Sequence, residues 1–493
     1  MKNILTTAIF HRQKQRCGAM LLKAALPLLL LACKHELTES PQSLMAETFY
    51  NTKAEVESAV FAIYLPLRPN TMPNYYATLE CQSDYGYGRG SWAQMNEYQG
   101  LNDANTNRIN PFWADFYVSI RNANFVIRNT PNGNAISETE KTMYIGEARF
   151  LRAFCYFHLV RNWGGVPLRT EQNLDVTDIP RSSKEDVYAL ILEDLANAET
   201  SLPDVAAQSG RPSKWTAKTL LADVYLELGR FPEARDKADE AIRSGKYALV
   251  PVSSTADYQK IYGPDVITTK EEIFYIKYTR QIEQGNYMLW ITNHPSTGLF
   301  KAGGAYAIYS ETTNPVYANW DNADFRKGLW TKVNIGLGPN SLVSSKYQDP
   351  QAISQRGAGT DLPVYRYSEL LLLYAEAACR AGNAPTAEAM EALNKVHRRA
   401  YGYNPEAPSA ADFNLADYDA QSFVDLVMKE RGYEFQFEGK RWLELKRSGR
   451  AKEIIKAVKN ITIADKNFLW PIPLSEMNYN KALDPAKDQN PGY

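Results

Sequence analysis

Residues 147–161, EARFLRAFCYFHLVR, are apolar on almost every helical face, which predicts a buried helix. NWGGVP ends it, with Gly164 and Gly165 available for the C-cap and Pro167 barring continuation. His158 inside this stretch reads as a packed, hydrogen-bonded histidine, since no second ligand stands at metal-binding spacing. Residues 214–244, KWTAKTLLADVYLELGRFPEARDKADEAIRS, show helical periodicity in two pieces joined at Gly229. Phe231, Ala234 and Ala241 follow at offsets that let two antiparallel helices approach closely, the tetratricopeptide pattern. LLLLYAEAACRAGNAPTAEAMEALNKV, 370–396, repeats it. Gly382 and Ala387 keep the five-residue offset of Gly229 and Ala234, while Asn394 takes the place of Ala241. Residues 184–200, KEDVYALILEDLANAET, are a third candidate. The expected class is mainly α: tetratricopeptide-like helical hairpins supporting long irregular loops with minor short β. Such repeats build concave binding surfaces.

Between the hairpins the pattern lapses. Residues 69–115 and roughly 250–360 are rich in Gly, Asn, Ser, Pro, Tyr and Trp, with short apolar runs such as EIFYIKY at 272–278. Long irregular segments inside a compact domain are either functional or disordered. The chain's 31 Tyr and 9 Trp, many in these loops, argue against disorder.

The N-terminal pattern differs again. Thirteen residues from Met20 to Ala32 are nearly all apolar, too few for the roughly 20 that a membrane-spanning helix needs. A basic leader precedes them (Lys2, His11, Arg12, Lys14, Arg16, with Lys23 inside), and Leu30-Leu31-Ala32-Cys33 looks like a lipobox. The expected outcome is a lipoprotein signal peptide over 1–32, removed so that an acylated (palmitate-type) Cys33 becomes the mature N-terminus. Met20 is an alternative start, and an ordinary signal peptide with an incidental cysteine is the alternative reading. Acyl chains at about 0.8 kcal/mol per buried methylene would anchor the chain to a membrane without spanning it.

Charge and cysteine usage narrow the classes. The net charge of −1 and the lack of a basic cluster in 33–493 point away from nucleic acid. Beyond Cys17 and Cys33, three cysteines remain without CxxC spacing, Cys81, Cys155 and Cys379. They allow one bridge at most, and three buried thiols fit better. GxSxG, HExxH, P-loop and GxGxxG-helix motifs are absent. DANTNR, Asp103 to Arg108, begins like a calcium loop. Arg108 stands where glycine is required and Ala114 where the bidentate glutamate belongs, so a cap or turn is expected and no metal. In KERGYEFQFEGKRWLELKRSGR, 429–450, Glu430, Glu434 and Glu438 recur every four residues and are expected on one helix face near Arg431, Lys440 and Arg441. Paired carboxylates can serve a glycosidase. Crowding bases lower carboxylate pKa values and favour salt-bridged structure instead.

This last cluster carries a resemblance. ERGYEFQFEGKRWLELKRSG is similar to the C-terminal signature of the SusD/RagB family of Bacteroidetes outer-membrane lipoproteins. GEARFLRAFCYFHLVRNWGGVPL (146–168), KWTAKTLLADVYLELGRFPEA (214–234), PVYRYSELLLLYAEAACRAGN (363–383) and LWPIPLSEMNYNKALDPAKDQNPGY (469–493) resemble that family in order. The resemblance implies one SusD-like domain over 33–493. Its N-terminal part, 33–215, would carry the first helical units and aromatic loops. The remainder, 216–493, would carry the tetratricopeptide-like units, ligand loops at 250–360 and the signature. It further implies a cofactor-free, non-enzymatic lipoprotein of the outer membrane, facing the cell surface. Such a protein captures a glycan for a partner TonB-dependent transporter of the SusC type, with aromatic rings gripping the sugar. A peptide ligand in the same uptake system, a surface glycoside hydrolase and a pure protein-interaction scaffold are the alternatives. A more charged cleft with fewer exposed aromatics would favour the peptide.

No ligand residue carries over by motif, so the site is read from chemistry. Sugars need flat aromatic platforms and hydrogen-bonding groups on loops held by a rigid support. NYYATLECQSDYGYGRGSWAQMNEYQG offers Tyr85, Tyr87, Trp92 and Tyr98, with Arg89 and Asn96 as polar contacts. GNYMLWITNH offers Tyr287 and Trp290, and NPVYANWDNADFRKGLW offers Trp320. Trp92, Tyr287 and Trp320 are the expected stacking platforms.

Overall fold

Ser137 and Glu140 start the longest helix among the described residues. The Ser137 hydroxyl accepts from the Glu140 amide at 3.3 Å, and the Glu140 carboxylate accepts from the Ser137 amide at 3.2 Å. The protein is described here from a computed structural model, over residues 49–68, 70–98, 101 and 108–493. Cys33, the signal segment 1–32 and the calcium-like positions 103–107 lie outside the described residues. In chain order the main helices are α1 (Lys53–Tyr64), α2 (Thr71–Cys81), α3 (Asn110–Asn129), α4 (Glu138–Trp163), α5 (Lys184–Ser201), α6 (Lys214–Glu227) and α7 (Phe231–Arg243). They continue as α8 (Tyr367–Gly382), α9 (Ala387–Ala400), α10 (Ala420–Glu434), α11 (Arg441–Arg447) and α12 (Ala451–Lys459). Helix makes up 53% and strand 7%, so the mainly α class holds. Residues 50–493 form one compact unit.

α4 is buried along most of its length, as its all-round apolar pattern predicts, and Gly164 ends it with φ +75°. The capping box makes it start earlier than its apolar stretch suggests. α3 and α5 pack on it, and α5 also packs on α6. His158 is buried with Nδ1 3.0 Å from the Tyr75 hydroxyl, and burial pushes its pKa well below the ordinary histidine value, so it is a neutral packing residue.

The two hairpins stack as the repeat pattern predicts. Gly229 turns the first with φ +70°. Leu226 and Ala234 then meet Leu373 and Ala377 of α8, with Tyr225 and Phe231 packed beside them. The second hairpin departs in detail. Its left-handed residue is Asn383 (φ +50°), not Gly382, and Ala387 is exposed, while Ala389, Leu393 and Val396 make the buried face of α9. A turn needs one residue tolerant of positive φ, and asparagine serves.

The loop regions carry the strands, all antiparallel: β1 (Tyr87–Gly88), β2 (Glu272–Ile276), β3 (Ile308–Glu311), β4 (Trp330–Lys332), β5 (Ser341–Ser344) and β6 (Leu362–Arg366). One sheet has the order β1-β3-β5-β4, with Tyr87 opposite Tyr309; the other pairs β2 with β6.

The charged cluster at 429–450 is an ionic core. Glu430, Glu434 and Glu438 are buried, but α10 ends at Glu434, so Glu438 lies in the turn after it and the three do not share a helix face. Their main partners come from afar in sequence. Arg366 reaches Glu271 at 2.8 Å and Glu438 at 3.0 Å and also bonds Glu434; Arg326 reaches Glu430 at 2.8 Å and Glu434 at 3.2 Å. Arg431, Lys440 and Arg441 pair elsewhere, with Glu444, Glu369 and Asp84 at 2.5, 3.0 and 2.7 Å. Burial alone would raise these carboxylates, yet the guanidiniums outweigh it: Glu430 is held at about 2 and Glu434 well below the carboxylate range. Cys81, Cys155 and Cys379 are free and buried.

Candidate functional site

The starts of α2 and α3 open onto one cleft of about 510 Å³, within the range of small-ligand sites. Asn70, Thr71 and Asn74 form its wall on the α2 side, and Pro111, Phe112 and Asp115 on the α3 side; Ser91, Arg108, Tyr287 and Arg356 complete it. Pro111 in the first turn of α3 fixes the helix start there, because its missing N–H costs nothing at that position. Neither Asn70 nor Ile109, the residues just ahead of the two helices, caps them with a side chain. Both positive helix ends are therefore left uncapped by their own N-cap residues.

Tyr287 and Arg356 are held opposite each other by paired loops. The Gly285 amide donates to the Arg356 carbonyl at 2.9 Å, and the Asn286 amide donates to the Ala358 carbonyl at 2.8 Å. The Asn286 side chain donates to the Thr360 carbonyl at 3.0 Å and accepts from the Met288 amide at 2.8 Å, which starts the short helix after Tyr287. The Tyr287 ring is half-buried and its centroid lies 5.8 Å from the Arg356 guanidinium. Burial raises the Tyr287 hydroxyl pKa, and Arg356 and Arg108 both oppose that rise, so both cations act on the same phenol. Across the cleft the Thr71 hydroxyl donates to Asp115, whose carboxyl burial pushes above its ordinary value.

Trp92 stands beside this cleft with 7% exposure, and the Arg108 guanidinium covers its ring at 3.7 Å while donating to the Ser91 hydroxyl. A ligand in the cleft thus meets Arg108 first and the indole behind it. Tyr287 and, through Arg108, Trp92 are brought together; Trp320 is not. It is 3% exposed, stacks on Tyr433 at 4.2 Å and 6°, and donates its indole N–H to Asp324 at 2.9 Å. Tyr433 in turn lines a different cleft of about 360 Å³ with Pro315, Met428 and Ile454. A ring so enclosed offers no face to a sugar. Tyr85 is likewise interior, at 1% exposure, its hydroxyl donating to buried Glu80. Tyr98 is buried against Trp442.

The remaining expected residues serve the neighbouring sheet. Tyr87 stacks on Tyr309 at 5.5 Å, accepts from Asn314 at 3.0 Å and has the Lys459 ammonium 4.7 Å from its ring. Asn96 accepts from the same ammonium at 2.9 Å, and the Arg89 guanidinium lies 4.2 Å over Tyr306. Trp290 is half-buried. Asn70, Asn74, Arg108, Asp115 and Arg356, none of them aromatic, line the cleft beside the expected Tyr287. Two of the signals that could have found them are the uncapped, Pro-containing helix starts NTMP and NPF. Among the described residues no helix is long and apolar enough to cross a membrane, and no group of three or more His, Cys, Asp or Glu could hold a metal.

A family model described as the SusD family matches residues 287–493, and one described as starch-binding and associating with outer membrane matches residues 37–226. SusD-like protein P2 of Formosa agariphila is 27% identical over 507 residues, 94% of this chain and 98% of its own. A SusD homolog of Bacteroides thetaiotaomicron superposes with a TM-score of 0.79 at 23% identity, over 91% of this chain and 98% of that one. Surface glycan-binding protein A of Bacteroides fluxus does so with 0.74 at 21%, over 90% and 100%. At these identities the structural likeness speaks for the fold.

Proposed function

The chain belongs to the SusD family, and from that premise we propose that it binds a glycan at the outer membrane and passes it on unaltered to a SusC-type TonB-dependent transporter. In this reading residues 1–32 are the signal, Cys33 carries the lipid, and 33–493 is the mature protein on the cell surface. The observation that carries the reading is the cleft at Tyr287. A half-buried ring stands among Asn70, Asn74, Ser91, Arg108 and Arg356, the apolar face and hydrogen-bonding edge that a sugar requires. The starch-binding description of one matching family and the glycan-binding name of one structural relative point the same way. The buried, low-pKa glutamates of 430–438 suit an ionic core, which argues against that cluster as the acid–base pair of a glycosidase.

The cleft is also more charged and less aromatic than the sequence reading expected, the feature that favours the peptide reading. Titration calorimetry against soluble polysaccharides including starch and laminarin, and against peptides, separates the two. Tyr287→Ala should weaken binding of the preferred polysaccharide by on the order of 2 kcal/mol with the fold intact. An undiminished affinity in that variant would refute the Tyr287 site, and binding of peptides alone would refute the glycan assignment. Release of reducing ends from any bound polymer would refute its non-catalytic half.

A further inference from the structure

Two cations line the cleft against a single carboxylate, Asp115, and neither is committed to it. Arg108 makes no ion pair among the described residues, and its Nε is buried without a hydrogen-bond partner. Arg356 pairs with Glu283, but at 40% and 61% exposure that pair is a solvated surface contact that a ligand can displace. The Thr71 hydroxyl holds Asp115, which leaves one carboxylate in the lining against two arginines. Both α2 and α3 present uncapped positive ends to the same space, and Asn70 Oδ1 there is buried without a partner. An amide carries donors as well as an acceptor, so rotating it presents N–H to an oxyanion.

A neutral sugar would leave this convergence unanswered: it would desolvate Arg108 without supplying charge. Guanidinium forks match planar or tetrahedral oxyanions, and helix N-termini add to the same field. Accepting the glycan reading above, we infer that the cleft selects an acidic glycan, with a sugar ring on Tyr287 and its carboxylate or sulfate ester held between Arg356 and Arg108. The aromatic platform and the cation pair then act on adjacent parts of one sugar residue.

The test is affinity electrophoresis and calorimetry of the full mature chain with polygalacturonate, alginate, dextran sulfate, laminarin, starch and poly-L-glutamate, at low and high salt. The expected result is a clear preference for an acidic polysaccharide, with polyuronates marking a carboxylate site and dextran sulfate a sulfate-ester site. Arg356→Gln and Arg108→Gln should each weaken that binding about tenfold or more, the loss of a charge-assisted contact. The exposed-arginine control Arg243→Gln should not weaken it. Equal or better binding of laminarin or starch, unmoved by the two variants, would overturn the acidic-glycan inference and leave the glycan reading standing. Binding of poly-L-glutamate alone, or of no polymer at all, would overturn both.

Discussion

Gly285 sets the spacing on which the Tyr287 cleft depends. A Cβ there would lie 2.5 Å from the Ala358 amide nitrogen and 2.5 Å from Gly357, so any side chain must push the paired loops apart. Gly285→Ala should therefore lose polysaccharide affinity about as strongly as Tyr287→Ala, although no contacting atom is removed; calorimetry showing unchanged affinity would contradict the loop-pairing account. Glu434 is a different kind of residue. It meets Arg326, Arg366 and Arg399 in the interior, and Glu434→Gln should cost on the order of 3–5 kcal/mol in denaturant unfolding, because buried guanidiniums lose their counter-charge. At this scale the charges were legible in the sequence and the rings less so. Glutamates crowded by bases had to be paired, although their partners proved distant in sequence. Nothing local distinguishes Tyr287, on a loop drawn close to its partner at Gly285, from Trp320, sealed by Tyr433 and Asp324.

The helices were legible because each signal is local. Apolar periodicity marked α4 and the two hairpins, and Gly164 and Gly229 marked where helices stop. The second hairpin shows the limit. Its turn uses Asn383 and its small-residue contact bypasses Ala387, since equivalent geometry can be reached through a neighbouring residue. The junction between hairpins rests on Leu373 and Ala377 of α8 against Leu226 and Ala234. Leu373→Ala should destabilise by about 2–5 kcal/mol through the cavity it leaves. Ligand affinity of the folded fraction should be unchanged, because this junction contributes no residue to the cleft. Urea unfolding alongside calorimetry checks both halves; a stability change within a few tenths of a kcal/mol would mean the hairpins do not stack there. The strands and the cleft were not legible in the same way. The strands are two to five residues long, and the cleft joins positions from Asn70 to Arg356, so only the tertiary fold brings them together.

Across the whole molecule, the ionic core predicts how stability responds to acid. Burial alone would raise Glu430 and Glu376, but adjacent arginines, helped by His397 at Glu430, hold both at about 2, against an ordinary value of 4.5. A folded pKa below the unfolded one contributes stability that is present above about 4.5 and is lost as pH falls towards about 2. Unfolding free energy should therefore drop across that window, and Glu430→Gln should show a shallower drop; an identical slope would place the acid sensitivity elsewhere. Binding should depend on the cleft and not on this core. Hydrogen–deuterium exchange on the protein, with and without the polysaccharide it prefers, tests that most directly. The account predicts slowed exchange at the starts of α2 and α3, around Ser91, at 285–287 and at Arg356. Slowing confined to the Tyr433 cleft, or absent from the Tyr287 loops, would contradict it.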